Sequence, residues 1–289
     1  MGVVAILTLL VFAVAFWATA STRDALHAPQ VRFAAVGDTG RDTPTARSVA
    51  ERIAAVHRET PLDTLLLLGD LDQDDGNGDD YEANFATPYR PVLDAEIPLA
   101  AALGNHDVHT REGTDMMRLF EMPGRYYDFR IGPVAFFALD TTAEDDGTRL
   151  DNTQLSWLRS KLEATSAPWR VLFMHHPSYS TTDHSSQPEV RRALEPIVNE
   201  YGVQLVLSGH DHQYERSKQI GSAVYVVAGT GCCVDGKDER SDHTAHFEST
   251  GGIVVVEAST TRMVLRFVDA EGGVRDSAEI RQGEKSGAA

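Results

Sequence analysis

Carboxylate, amide and imidazole side chains recur in this sequence in short polar runs, most of them opened by glycine. They are Gly37-Asp38-Thr39-Gly40, Gly69-Asp70, Gly104-Asn105-His106-Asp107, the pair His175-His176, and Gly209-His210-Asp211-His212. Oxygen and imidazole donors together suit zinc, manganese or iron, and the lack of thiolates among them disfavours a structural zinc site. So many donors exceed what one tetrahedral ion needs and match two ions sharing a carboxylate. Two ions about 3.5–4 Å apart clamp a phosphoryl group for in-line attack and lower the pKa of bound water. A single Gly-Asp after a strand is ordinarily only a turn, and a single His there is ordinarily a hydrogen-bonded structural residue. The ordered set is what points to a metal centre.

Each run closes an apolar stretch. Such stretches cover 31–37, 64–69, 97–104, 134–140, 169–174, 203–209 and 223–229, and several are continuously apolar, as expected of strands covered on both faces. Helical patterns fall between them at 44–58, at 151–164 behind an N-cap Asp151, and at 188–201 with Pro188 near the start. Residues 126–140 read as a hairpin around Gly132-Pro133, and 252–281 as two or three antiparallel strands. The pattern predicts one α/β domain over residues 30–282, with mixed β-sheets flanked by helices, and a disordered tail over 283–289. In such folds the functional loops gather at the carboxyl ends of strands.

The 289 residues carry a formal net charge of -17, which repels polyanions and argues against a nucleic-acid partner. A phosphorylated substrate meets the same repulsion, so its site needs concentrated positive charge, and bound metal ions supply it. Residues 2–20 hold no charged side chain. As a helix they would span about 28 Å, close to the hydrocarbon core of a bilayer. They end in Ala18-Thr19-Ala20, a pattern suited to signal-peptide cleavage. A cleaved signal and a retained membrane anchor both stay open; either exports the chain. Cys232 and Cys233 are adjacent, and Cα atoms about 3.8 Å apart are too close for an unstrained disulfide. They read as free thiols, with a strained redox pair or an intermolecular link as the alternatives. The acidic run 70–80 lacks the glycine and glutamate of a calcium-binding EF-hand loop, with Asp75 and Tyr81 at those places, and reads as a solvated rim. Trp157 and Trp169 read as core residues.

The ordered motifs resemble those of the calcineurin-like metallophosphoesterases, and the resemblance covers nearly all of 31–270. More narrowly the chain is similar to the purple acid phosphatases, above all the small tartrate-resistant type and its bacterial relatives. Gly40 stands where many phosphodiesterases of the superfamily have a metal-binding His. The run GHDHQYER at 209–216 is close to that family's GHxHxYER, and His184 follows His175 by the spacing of an active-site histidine in the small acid phosphatases. The resemblance implies that Asp38 and His212 hold the first metal, that Asp70 bridges to the second, and that Asn105, His175 and His210 complete the second site. It implies that His106 and His184 bind phosphate and protonate the leaving oxygen. Asp107 then orients its neighbours, and His176 stands outside the ligand set, although sequence alone does not separate it cleanly from His175.

One position departs from the pattern. Where the family has a metal-binding Tyr three residues after the bridging Asp, this chain has Gln73. Gln73 is a further candidate ligand through its amide oxygen, and water is the alternative. Loss of the phenolate removes the origin of the purple colour and weakens the hold on Fe(III), so two metal ions forming a divalent pair of Fe, Mn or Zn are expected. The implied activity is hydrolysis of phosphate monoesters by metal-bound hydroxide, in a monomer whose substrate is a phosphorylated small molecule or phosphoprotein. The rivals are a phosphodiesterase acting on cyclic nucleotides or lipid head groups, and an inactive metal-binding receptor or scaffold.

Overall fold

The computed structural model describes residues 30–142, 150–181, 187–236 and 240–282. The expected N-terminal signal or anchor at 1–20, the tail at 283–289 and His184 lie outside the described residues. Among those described, no helix is long and apolar enough to cross a membrane.

Two mixed sheets pack face to face. The first has six strands: β1 (Val31–Val36), β2 (Thr64–Leu68), β3 (Leu99–Ala102), β11 (Gly252–Ala258), β12 (Arg262–Asp269) and β13 (Val274–Arg281). The second has seven: β4 (Tyr127–Ile131), β5 (Val134–Ala138), β6 (Trp169–Phe173), β7 (Leu205–Ser208), β8 (Tyr214–Ser217), β9 (Val224–Ala228) and β10 (Thr244–Glu248). Their orders are β13-β12-β11-β1-β2-β3 and β10-β8-β9-β7-β6-β5-β4. Strands β1, β2 and β3 run parallel, as do β5, β6, β7 and β9, so their carboxyl ends share one rim.

The apolar runs explain this layering. In β1, Phe33 and Ala35 face the core between the sheets, while Ala34 and Val36 face the helix outside. Phe33 meets Phe136 edge-on across the sandwich at 5.0 Å, and Tyr214 stacks on Phe267 at 4.1 Å. Trp169 is buried in this inner core, and Trp157 is half-buried against the cluster on the outer face. Helix α1 (Pro44–Glu59) covers the six-stranded sheet. Thr43 caps it by accepting from the Ala46 amide, Pro44 occupies its first turn, and Ala46, Val49, Ala50 and Ile53 form the buried stripe. Short helices α2 (Arg90–Asp94) and α3 (Thr114–Leu119) follow. Helices α4 (Asn152–Ala164) and α5 (Pro188–Glu200) cover the seven-stranded sheet, and Asp151 caps α4 by accepting from the Gln154 amide at 2.8 Å.

Two strands go unread in the sequence, and two expectations need correction. Strands β8 and β10 carry no apolar run, since their sequences are YERS and TAHFE. They pair antiparallel, and buried Glu215 of β8 accepts from Thr244 of β10 and from Thr181, while Arg216 ties β8 to Asp276 of the six-stranded sheet. Cys232 and Cys233 form a disulfide rather than free thiols. They lie on a tethered turn where Thr43 Oγ1 donates to the Cys232 carbonyl and Tyr89 Oη donates to the Gly231 carbonyl. In the acidic run, Asp74, Asp75, Asp79 and Asp80 form a solvated rim, but Leu71, Asp72 and Gln73 are buried.

Candidate metal centre

The loops that leave the parallel strands are bonded to one another across the sandwich. The Gly37 amide donates to Ala228 O, the Asp38 amide to Gly69 O, and the Gly209 amide to His175 O. Three residues that follow glycines adopt left-handed backbone: Asp38 at φ 59°, Asp70 at φ 53° and His210 at φ 72°. Such conformations cost about 1–3 kcal/mol each and persist where the surroundings over-determine them. Here they turn three polar side chains inward at strand ends. Gly104 is required by close approach, because a Cβ there would collide with the Asp70 side chain.

A single buried carboxylate holds this crossing together. Asp107 accepts from the Leu71 and Asp72 amides through Oδ1 (2.8 and 3.0 Å) and from the Gly104 amide through Oδ2 (2.7 Å). It therefore clamps the Asp70 loop to the Asn105 loop, in keeping with an orienting role. The His106 amide donates to Asp70 Oδ1 at 3.1 Å.

Two clusters of donors result. Asn105 Oδ1 lies 3.0 Å from His175 Nε2 and 3.1 Å from His210 Nδ1, and the two imidazole nitrogens are 3.2 Å apart. Asp70 Oδ1 is 3.4 Å from the same His175 nitrogen. In the second cluster, Asp38 Oδ1 is 3.4 Å from His212 Nε2, and Asp38 Oδ2 accepts from the His210 amide at 2.9 Å. Asp38, Asp70 and His175 offer ligand atoms all within 4.8 Å of one another, and so do His175, His176 and His210. The His175 Nδ1 proton goes to Leu68 O at 2.9 Å, which leaves Nε2 as a lone-pair donor turned toward Asn105 and Asp70. Converging lone pairs of carboxylate, amide and imidazole repel one another unless a cation or proton lies between them. The donor set fits metal ions.

Without a cation, protons take that role. Burial opposes charge on His175, but the Asp70 carboxylate beside it outweighs this and raises its pKa to about 10. Burial likewise pushes Asp70 up, and the charges of His175 and His106 outweigh it, holding the carboxyl well below its usual range. Burial opposes charge on His212, yet the Asp38 hydrogen bond and charge, with Asp235, raise it to about 9. His176 differs: burial first, then the charges of His175 and His210, push it well below the ordinary histidine value. Its Nδ1 lies 2.9 Å from Thr141 Oγ1.

Gln73 stands between the two carboxylates, with Nε2 3.5 Å from Asp38 Oδ1 and 3.4 Å from Asp70 Oδ2. It is the amide nitrogen, not the oxygen, that faces them. Asp70, Gln73, Asn105, His106, His210 and His212 line a cavity of about 300 Å³ together with His109. Sequence reasoning passed over His109, although its place three residues after His106 was the available signal. It also missed Asp235, whose Oδ2 lies 3.5 Å from His212 Nδ1 and which no motif marks.

The chain is similar along most of its length to known phosphatases. The chain is 27% identical over 288 residues to human tartrate-resistant acid phosphatase type 5, covering 84% of this chain and 89% of that one. It is 28% identical over 251 residues to purple acid phosphatase 15 of Arabidopsis thaliana, covering 69% of this chain and 44% of that one. Among solved structures, yellow lupin purple acid phosphatase PPD1 superposes with a TM-score of 0.77 at 19% identity, covering 88% of this chain and 54% of that one. Plasmodium GAP50, the anchor in the inner membrane complex, superposes with a TM-score of 0.75 at 21% identity, covering 89% and 90%. These two share the fold. Residues 31–214 match the calcineurin-like phosphoesterase family, and the chain belongs to it as a phosphoric ester hydrolase.

Proposed function

We propose that the chain hydrolyses phosphate monoesters at a dinuclear metal centre. The observation that carries this reading is the meeting of Asn105 Oδ1, His175 Nε2 and His210 Nδ1 beside Asp70, with Asp38 and His212 on the other side of the same carboxylate. Asp38 and His212 would hold one ion, Asn105, His175 and His210 the other, and Asp70 both. When bound, the ions supply a low-pKa water and neutralise the charge developing on the phosphoryl group. His106 lies on the cavity wall with Nδ1 3.3 Å from the Asp74 carbonyl. That contact fixes its ring for proton donation to the leaving oxygen, with His184 as its partner on sequence grounds. Residues 2–20 would carry the chain out of the cytoplasm.

The monoester preference rests on Gly40 as well as on the acid-phosphatase relatives. A Cβ at Gly40 would collide with the backbone of Leu71 and Asp72, and the Gln73 amide donates to Gly40 O at 2.9 Å. No histidine fits there, so the extra imidazole of many diesterases has no place. A panel of monoesters and diesters at saturating Mn²⁺ tests this: monoesters are expected to be hydrolysed with the higher kcat/KM, and a preference for diesters would overturn it.

A neutral amide at Gln73 adds no negative charge between Asp38 and Asp70, which favours two divalent ions over an Fe(III)-containing pair. Iron-loaded protein is therefore expected to lack a tyrosinate charge-transfer band in its visible spectrum, and Gln73→Tyr to gain one. Such a band in the wild type would contradict this assignment.

A further inference from the structure

We propose that Asp235 is a positioning residue for the first metal site, setting the tautomer and orientation of His212. The inference rests on the dinuclear reading above and deepens it.

A histidine that gives one ring nitrogen to a metal must carry its proton on the other, and an acceptor beside that proton fixes both tautomer and ring angle. His175 meets this need with a main-chain acceptor, the Leu68 carbonyl 2.9 Å from Nδ1. His212 turns Nε2 to Asp38 and Nδ1 to Asp235, whose Oδ2 is 3.5 Å away. The second contact is longer and is an ion pair with a side chain rather than a main-chain hydrogen bond, so substitution can remove it.

The backbone ties the pair together. The Asp235 and Gly236 amides both approach the His212 carbonyl, at 3.3 and 3.4 Å. Upstream, the Gly231 amide donates to Gly37 O at 3.0 Å, and the Gly231 and Cys232 carbonyls accept from Tyr89 and Thr43. The segment that carries Asp235 is thus anchored to the loop of Asp38 at one end and to His212 at the other. The Asp235 side chain itself is 75% exposed. A structural contribution to the fold is correspondingly small, and a surface carboxylate aimed at a ligand imidazole remains.

The test titrates metal-stripped wild type, Asp235→Asn, Asp235→Ala and Asp235→Glu with Mn²⁺ at one pH by calorimetry, alongside thermal unfolding of the metal-free proteins. The Asn and Ala variants are expected to lose roughly 10–100-fold in affinity at one of two sites. The other site and the metal-free unfolding temperature are expected to stay unchanged, and Glu to restore much of the loss. If the wild type binds two ions and the Asn and Ala variants bind both as tightly, the role assigned to Asp235 is wrong while the dinuclear reading stands. If the wild type binds fewer than two, both are wrong.

Discussion

Asp70→Asn is expected to abolish the second metal and to lower kcat/KM by about three orders of magnitude, equivalent to ~4 kcal/mol of transition-state stabilisation. Asp70 sits between both donor clusters: Oδ1 is 3.4 Å from His175 Nε2, and Oδ2 accepts from Gln73 beside Asp38. Its carboxylate is placed to neutralise two cations at once. Asparagine keeps the volume and tolerates the left-handed backbone at φ 53°, so the loop geometry survives. What is lost is the charge. Metal content of the purified variant and its kinetics on one monoester measure the effect. Two tightly bound ions with near-normal turnover would show that Asp70 is not the shared ligand.

His106→Ala is expected to lower kcat by roughly 10²–10⁴, the range of a lost general acid, with metal content unchanged. The imidazole lines the cavity but belongs to neither donor cluster. Its backbone amide, which donates to Asp70 Oδ1, is untouched by the substitution. The loss should be largest for alkyl phosphates, whose leaving oxygen needs a proton, and smaller for nitrophenyl phosphate, whose leaving group departs as the anion. An equal loss on both substrates would assign His106 to phosphate binding instead. Unchanged hydrolysis on both would remove it from the reaction.

Much of this arrangement is legible in the sequence because parallel strands buried on both faces leave long apolar runs, such as Leu65–Leu68 and Val224–Ala228, and the polar motifs begin where those runs stop. The capping residue Asp151 marked the start of α4 in the sequence, whereas the cap of α1 at Thr43 emerged only in the structure. The edge strand β10 and its neighbour β8 left no such trace, since Glu215 and Arg216 of β8 are satisfied by residues distant in sequence. The same limit hid Asp235. It meets His212 only because β9 returns the chain to the rim, and a lone Asp in a loop carries no pattern. The glycines before Asp38, Asp70 and His210 announced tight turns. That the next residue would itself be left-handed depends on the crossing of five loops, which only the assembled sandwich defines. The disulfide is not legible in the Cα spacing of adjacent cysteines, which by itself argues for free thiols.

The most direct test of the account is the metal-to-protein ratio of the purified, hydrolytically active chain, followed through stripping with a chelator and reloading with Mn²⁺. Two ions per chain are expected, with monoester hydrolysis lost on stripping and restored only as the second ion returns. Full hydrolysis by the stripped protein, or full hydrolysis with a single ion, would contradict it.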